Sequence, residues 1–126
     1  MGIALALIVI CLSPVYAGDI RCAECGMMVM MDSKFTSKIT QGDTTNYFCD
    51  IGDLFMYLKK KNVKDARIEV RDYTSGEWID ARKASYIKSG KLNTPMGWGI
   101  AAFKDKKEAS QSGSVMDFES TTKALQ

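Results

Sequence analysis

The chain has 126 residues, 46% of them hydrophobic and two of them tryptophan. It is long enough to bury a core and fits one domain, or two very small subdomains sharing one. Seventeen basic residues against fifteen acidic ones leave a formal charge of +2, too balanced for a nucleic-acid surface or for one that seeks anionic lipid. Histidine is absent, so acid–base chemistry near neutral pH would need a strongly shifted carboxylate or lysine, and nothing supplies a general base or a nucleophilic triad.

Gly2 to Leu12 are almost wholly apolar, and Val15-Tyr16-Ala17 offers a small residue at which a signal peptidase could cut before Gly18. Residues 1–17 therefore read as an export signal, which places the mature chain in the periplasm or on the outer face of the cell envelope. Two features are irregular: no Lys or Arg precedes the apolar run, and Pro14 separates it from the cut. The run is short for a spanning helix; left uncleaved, it would associate the chain with the membrane. Cys11 follows Ile-Val-Ile rather than a small residue, which argues against lipid attachment.

Cys22 to Met31, CAECGMMVMM, comes next and is dense in sulfur. In Lys34 to Thr40, Phe35, Ser37 and Ile39 alternate with polar neighbours as in a half-buried strand. Gln41-Gly42-Asp43 supplies turn chemistry, and Thr44 to Cys49 is rich in β-branched and aromatic residues, so the pair predicts a hairpin. A helix should follow: Asp50 is a good N-cap, Asp53 sits in the first turn, and Ile51, Leu54, Phe55 and Leu58 recur at helical spacing. Lys59, Lys60 and Lys61 suit its C-terminal end, and Asn62 can close it. Ala66 to Tyr73, with Ile68, Val70 and Asp72 on one face, and Glu77-Trp78-Ile79 predict a second hairpin across Ser75-Gly76. Asp80 to Gly90 fits neither period cleanly and is either a short helix or a further extended piece. Thr94 to Phe103 predicts a buried strand, Lys104 to Ser110 a short exposed helix, Gly113 to Phe118 another strand, and Glu119 onward a terminal helix. The expected fold is α+β: two small ββα-type subdomains, residues 18–65 and 66–126, packed as one compact unit after the signal segment. Each half carries a glycine–methionine pair, Gly26-Met27 and Met96-Gly97, in front of a strand, a weak internal likeness.

Three cysteines remain beyond Cys11, namely Cys22, Cys25 and Cys49, and an odd count leaves at least one thiol without an internal partner. Three uses compete. In an exported protein Cys22 and Cys25 could close on each other as a disulfide, with Cys49 a buried small hydrophobe. A CxxC followed by a cysteine at a helix start also suits a structural zinc site, although the fourth ligand is then missing, because Asp53 stands where a second cysteine would be wanted. Thiolate together with thioether selects Cu(I) instead, and a helix N-terminus behind Cys49 would lower its pKa and favour the thiolate. Of the eight methionines, Met56 reads as packing or surface and Met30, Met31 and Met116 as core filler; Met28 is ambiguous. Met27 and Met96 stand apart because each adjoins a glycine, which lets backbone and ligand approach closely.

Cys25-Gly26-Met27, the hairpin ending in Tyr47-Phe48 with an acidic helix start, Trp78, Ala84-Ser85-Tyr86-Ile87, and Thr94-Pro95-Met96-Gly97 followed by Ala102-Phe103 and Ala109 together resemble the NosL family, from about Cys22 to Phe118. The resemblance implies an exported copper(I) carrier built from two small ββα-type subdomains, which supplies nitrous-oxide reductase or another copper acceptor. It implies a copper site at Cys25, Met27 and Met96. Cys22 and Cys49 lie outside that family's minimal motif and are similar to the cysteine pattern of metal-handling domains of the TRASH type. The expectation is therefore a metal carrier without catalytic activity, holding one Cu(I) by Cys25, Met27 and Met96 with help from Cys22 or Cys49. A thiol–disulfide oxidoreductase using Cys22 and Cys25 is the enzymatic alternative, and no thioredoxin-type strand–helix unit surrounds that CxxC. A structural zinc module is the third.

Overall fold

The computed structural model describes residues 19–125, so the signal segment assigned to residues 1–17 lies outside the described residues. The elements run β1 (Ser37–Gln41), β2 (Thr44–Phe48), α1 (Ile51–Lys60), β3 (Arg67–Arg71), β4 (Trp78–Asp80), β5 (Ser85–Lys88), β6 (Ile100–Phe103), α2 (Lys106–Ser112) and α3 (Phe118–Ala124). The architecture is α+β, as the alternation of strand and helix periods implies.

β1 and β2 form the expected hairpin in the register Ser37↔Phe48 and Ile39↔Asn46, turning at Gly42 with φ of +55°. The strand begins later than its alternation suggests. Thr36 is turned into the fold, its hydroxyl donating to the Met30 carbonyl at 2.7 Å, and the chain reaches the sheet only at Ser37. β3 adds to the other edge of β1 with Ile39 opposite Ile68, and β4 adds to β3, giving one antiparallel sheet ordered β2-β1-β3-β4. The β3–β4 hairpin, assigned from sequence to residues 66–126, thus completes the sheet begun within residues 18–65.

The undecided stretch Asp80 to Gly90 resolves into a turn over residues 81–83 and the strand β5, which pairs with β6 as a separate two-stranded ribbon. Asp72 joins ribbon to sheet. Ala102 bridges it in parallel, the Tyr73 amide donates to the Ala102 carbonyl at 2.7 Å, and the buried Asp72 carboxylate accepts from the Lys104 amide at 3.0 Å. Along β6 alternate residues face opposite ways. Ile100 and Ala102 enter the main core with Ile39, Phe48, Ile68 and Val70, whereas Ala101 and Phe103 join Ile87 and Ala109 of α2 in a smaller one. A strand with a core on each side must be apolar throughout, and all four β6 residues are buried.

Two expected strands are shorter than their patterns. Residues 94–99 form a turn rather than the start of β6, with Gly97 and Gly99 at φ of +77° and +68°. A side chain at Gly99 would also meet the Ser89 carbonyl oxygen at 2.5 Å. Gly113 to Phe118 contributes a single bridge, Tyr86 with Met116, because Asp117 caps α3 by accepting the Ser120 amide at 2.7 Å and turns Phe118 into the helix.

α1 covers the sheet through Ile51, Leu54 and Phe55, all fully buried, and ends at Lys61, whose amide donates to the Tyr57 carbonyl. Phe55 is its centre: its ring meets Tyr86 edge-on at 5.4 Å and Phe118 at 5.1 Å, so one side chain holds α1, the ribbon and α3 together. Phe55→Ala should therefore cost about 3–5 kcal/mol, read as a lower urea midpoint at unchanged m-value.

Candidate metal centre

The site is built at the start of α1. Asp50 is completely buried and extended (φ −141°, ψ 143°), and its Oδ1 accepts the Gly52 amide as an N-cap. Its other oxygen reaches across the molecule, accepting the Thr94 hydroxyl at 2.7 Å and the Met96 amide at 2.9 Å, while Thr94 Oγ1 in turn accepts the Gly99 amide. The turn of residues 94–99 is thereby clipped onto the helix start. From that turn the Trp98 indole lies over Gly52, so close that an added Cβ would stand 2.0–2.4 Å from ring atoms. Trp98 Nε1 donates to Asp53 Oδ1 at 2.8 Å.

With Oδ1 fixed by the indole, Asp53 turns Oδ2 toward sulfur. The Cys22 thiol donates to it at 3.4 Å and the Cys49 thiol at 3.6 Å, and Cys25 Sγ lies 3.4 Å from Cys49 Sγ. The three sulfurs and the carboxylate lie within 4.8 Å of one another, a three-thiol, one-carboxylate donor set. Cys49 precedes the N-cap at the end of β2. Cys22 and Cys25 are brought beside it by a tight turn, in which the Gly26 amide donates to the Cys22 carbonyl and the Ala23 amide to the Tyr47 carbonyl of β2. Gly26 carries the positive φ, +78°, that this turn requires. Cys22 and Cys49 are buried and Cys25 is half-buried, and all three are free thiols.

Burial raises the thiol pKa values here. Cys25 is pushed up to about 11, by desolvation first and then by the Asp53 carboxylate nearby, with the Met27 amide acting in the opposite sense. Cys49 is raised further, by desolvation first and then by its Cys25 neighbour. This corrects the expectation that the helix N-terminus would favour the Cys49 thiolate: the pKa is raised, with loss of water the leading cause.

The methionines are arranged differently. Met27 stays close through its backbone, its carbonyl accepting the Cys22 amide at 2.8 Å, and Met96 through its amide on Asp50. Their side chains are 57% and 44% exposed. Met28 and Met30 are exposed as well, so Met30 is not the core filler its neighbours suggested; the buried residue of that run is Val29. Met31, Met56 and Met116 do pack against the core. Asp53, read from the sequence as a first-turn acid standing where a second cysteine ligand would be wanted, belongs to the cluster, and the available signal was its i, i+4 spacing from Cys49 across the helix start. Trp98 had no such signal, being forty-five positions away from its partner Asp53.

Gly52→Ala would gain up to about 1 kcal/mol in helix propensity. It would also drive the Trp98 indole off the helix, an overpacking cost of about 1–3 kcal/mol, so the expected net result is a lower Tm with a red-shifted tryptophan emission. The Cys25 proton is held more tightly in the folded chain than at the ordinary thiol value of 9.0. Its contribution to stability is therefore complete below pH 9 and is lost as pH rises toward about 11. Urea midpoints should fall across that window, and fall less in Cys25→Ser.

Residues 16–125 match the model of the NosL family. Among solved structures, the crystal structure of the copper chaperone NosL from Shewanella denitrificans matches with a TM-score of 0.65 at 22% identity, over 85% of this chain and 96% of that one. At that identity the likeness speaks for the fold. Among curated proteins, none matches. With the family match covering nearly the whole chain, the protein belongs to the NosL family.

Proposed function

We propose that this chain is a cell-envelope carrier of copper(I), holding one ion by Cys25, Met27 and Met96 with Cys22 and Cys49 beside them and delivering it to nitrous-oxide reductase or another copper acceptor. The observation that carries the reading is the convergence of three free thiols within 4.8 Å, at the helix start onto which Met96 is clipped. Soft sulfur donors favour Cu(I), and the Shewanella structure of the same fold is titled a copper chaperone. The apolar leader, read as an export signal, supports a location in the periplasm or on the outer face of the cell envelope.

The chemistry suits transport rather than catalysis. Thiols with raised pKa values exchange slowly with disulfides, which suits a stoichiometric oxidation and not the repeated turnover of the oxidoreductase alternative. Those same protons must leave when metal binds, so affinity rises with pH. Thioethers need no deprotonation, and the exposed Met27 and Met96 add soft donors that protons do not compete for.

One observation favours a second reading. Asp53 Oδ2 within the cluster supplies the fourth donor that a closed zinc site needs. Anaerobic titration of the reduced protein with Cu(I) against a competing chelator separates the two. One equivalent should bind, with Cys25→Ala and Met96→Ala each weakening it tenfold or more, about 1.4 kcal/mol, and Asp53→Asn altering it little. If Met96→Ala leaves the affinity unchanged while Zn(II) binds stoichiometrically and is lost in Asp53→Asn, the protein is a zinc module.

A further inference from the structure

The thiols are not equivalent in their pairing. Cys22 and Cys49 both donate to Asp53 Oδ2, at 3.4 and 3.6 Å, whereas Cys25 directs its sulfur at Cys49 Sγ, 3.4 Å away. A disulfide bond is about 2.05 Å long, so closing this pair needs a movement of roughly 1.4 Å. Cys49 cannot supply it, held between β2 and the Asp50 cap. Cys25 can, since it is half-exposed in the turn before Gly26. Sequence spacing points to Cys22 and Cys25 as the natural pair; the fold joins a different one.

We propose that Cys25 and Cys49 form an oxidation site, a dithiol that a disulfide-bearing oxidant converts to an intramolecular disulfide, leaving Cys22 as a thiol. Cys25, the exposed member, attacks one sulfur of the oxidant. The oxidant's S–S bond breaks, and one of its halves departs as a thiol carrying the Cys25 proton. Cys49, 3% exposed and reachable only from within, then attacks Cys25 Sγ in the mixed disulfide and expels the second half, which takes the Cys49 proton. Two protein thiols and one oxidant disulfide become one protein disulfide and two oxidant thiols, with two electrons passing to the oxidant.

The consequence rests on the carrier reading. Closing the bond removes two of the three thiols, so only the reduced chain loads metal, and metal held by both sulfurs blocks closure. The same chain thus carries cargo or a disulfide, not both.

The metal-free reduced full chain, incubated with glutathione disulfide, quenched in acid, alkylated and digested, should give a Cys25–Cys49-linked peptide and an alkylated Cys22 by mass spectrometry. The link should survive Cys22→Ser and vanish in Cys49→Ser. A Cys22–Cys25 link in the unsubstituted chain, or all three thiols still alkylated after prolonged exposure, overturns the assignment without reliance on any variant's folding. Chelator competition should then show Cu(I) affinity at least a hundredfold lower in the oxidised chain than in the reduced one, and equal affinity refutes the gate. A reduced chain that takes up no Cu(I) counts against the carrier reading alone, because the disulfide map is made without metal.

Discussion

One buried carboxylate, that of Asp50, determines where everything else at the site can stand. It caps α1 through Gly52 and clips the 94–99 turn through Thr94 and Met96. A carboxylate without water is tolerable only when its lone pairs are matched by donors. Here the donors come from two segments separated by more than forty positions in the chain. Neither can move without stranding the charge, so the helix start and the turn behave as one body. Cys49 and Asp53 belong to the helix start and Trp98 to the turn, and the indole bonds Asp53 across the join.

The next carboxylate along the helix works by division. Trp98 occupies one oxygen of Asp53, and the other is left to the thiols of Cys22 and Cys49. Four groups that can each carry a negative charge sit within 4.8 Å of one another. At an effective dielectric near 20, each like-charged pair at such a separation costs on the order of 3 kcal/mol, which adds to the burial that holds the protons on Cys25 and Cys49. A positive ion among these donors would take the place of those protons. The raised pKa values of Cys25 and Cys49 thus come from burial first and from the crowded donors second, and the same crowding suits the set to a cation.

Legibility in the sequence followed the range of the interaction. β1, β2, α1 and the Asp50 cap were readable because each is set by neighbours within a turn or two of chain, and so were the three cysteines as a candidate site. The β3–β4 hairpin was readable as a hairpin, but its place beside β1 was not, since strand pairing depends on which apolar faces meet and leaves no local mark. Residues 94–99 misled for a similar reason. Apolar and small, they resemble a strand, yet their form is imposed by the Asp50 clip and by two glycines with positive φ. Gly113 to Phe118 alternates like a strand, but the Asp117 cap is the stronger local signal and wins. The helix start behind Cys49 is local and legible, whereas the burial that raises its pKa is built by distant segments and is not.

Sulfur is distributed in depth: two thiols are buried, a third is half-buried, and Met27 and Met96 are largely exposed. A core under packing pressure does the reverse with methionine, using it to fill gaps, as Met31, Met56 and Met116 do here. Met27 and Met96, like Met28 and Met30, therefore have no packing reason to be methionine; in the proposed carrier, soft, proton-independent ligation supplies one for Met27 and Met96. Trp98 covers the helix start over Gly52, and Cys22 and Cys49 are closed off, which leaves Cys25 as the thiol that anything arriving from solvent meets first. In the proposed carrier an incoming soft ion, and in the proposed oxidation an incoming disulfide, would both be received at that sulfur, with Cys49 the next sulfur inward.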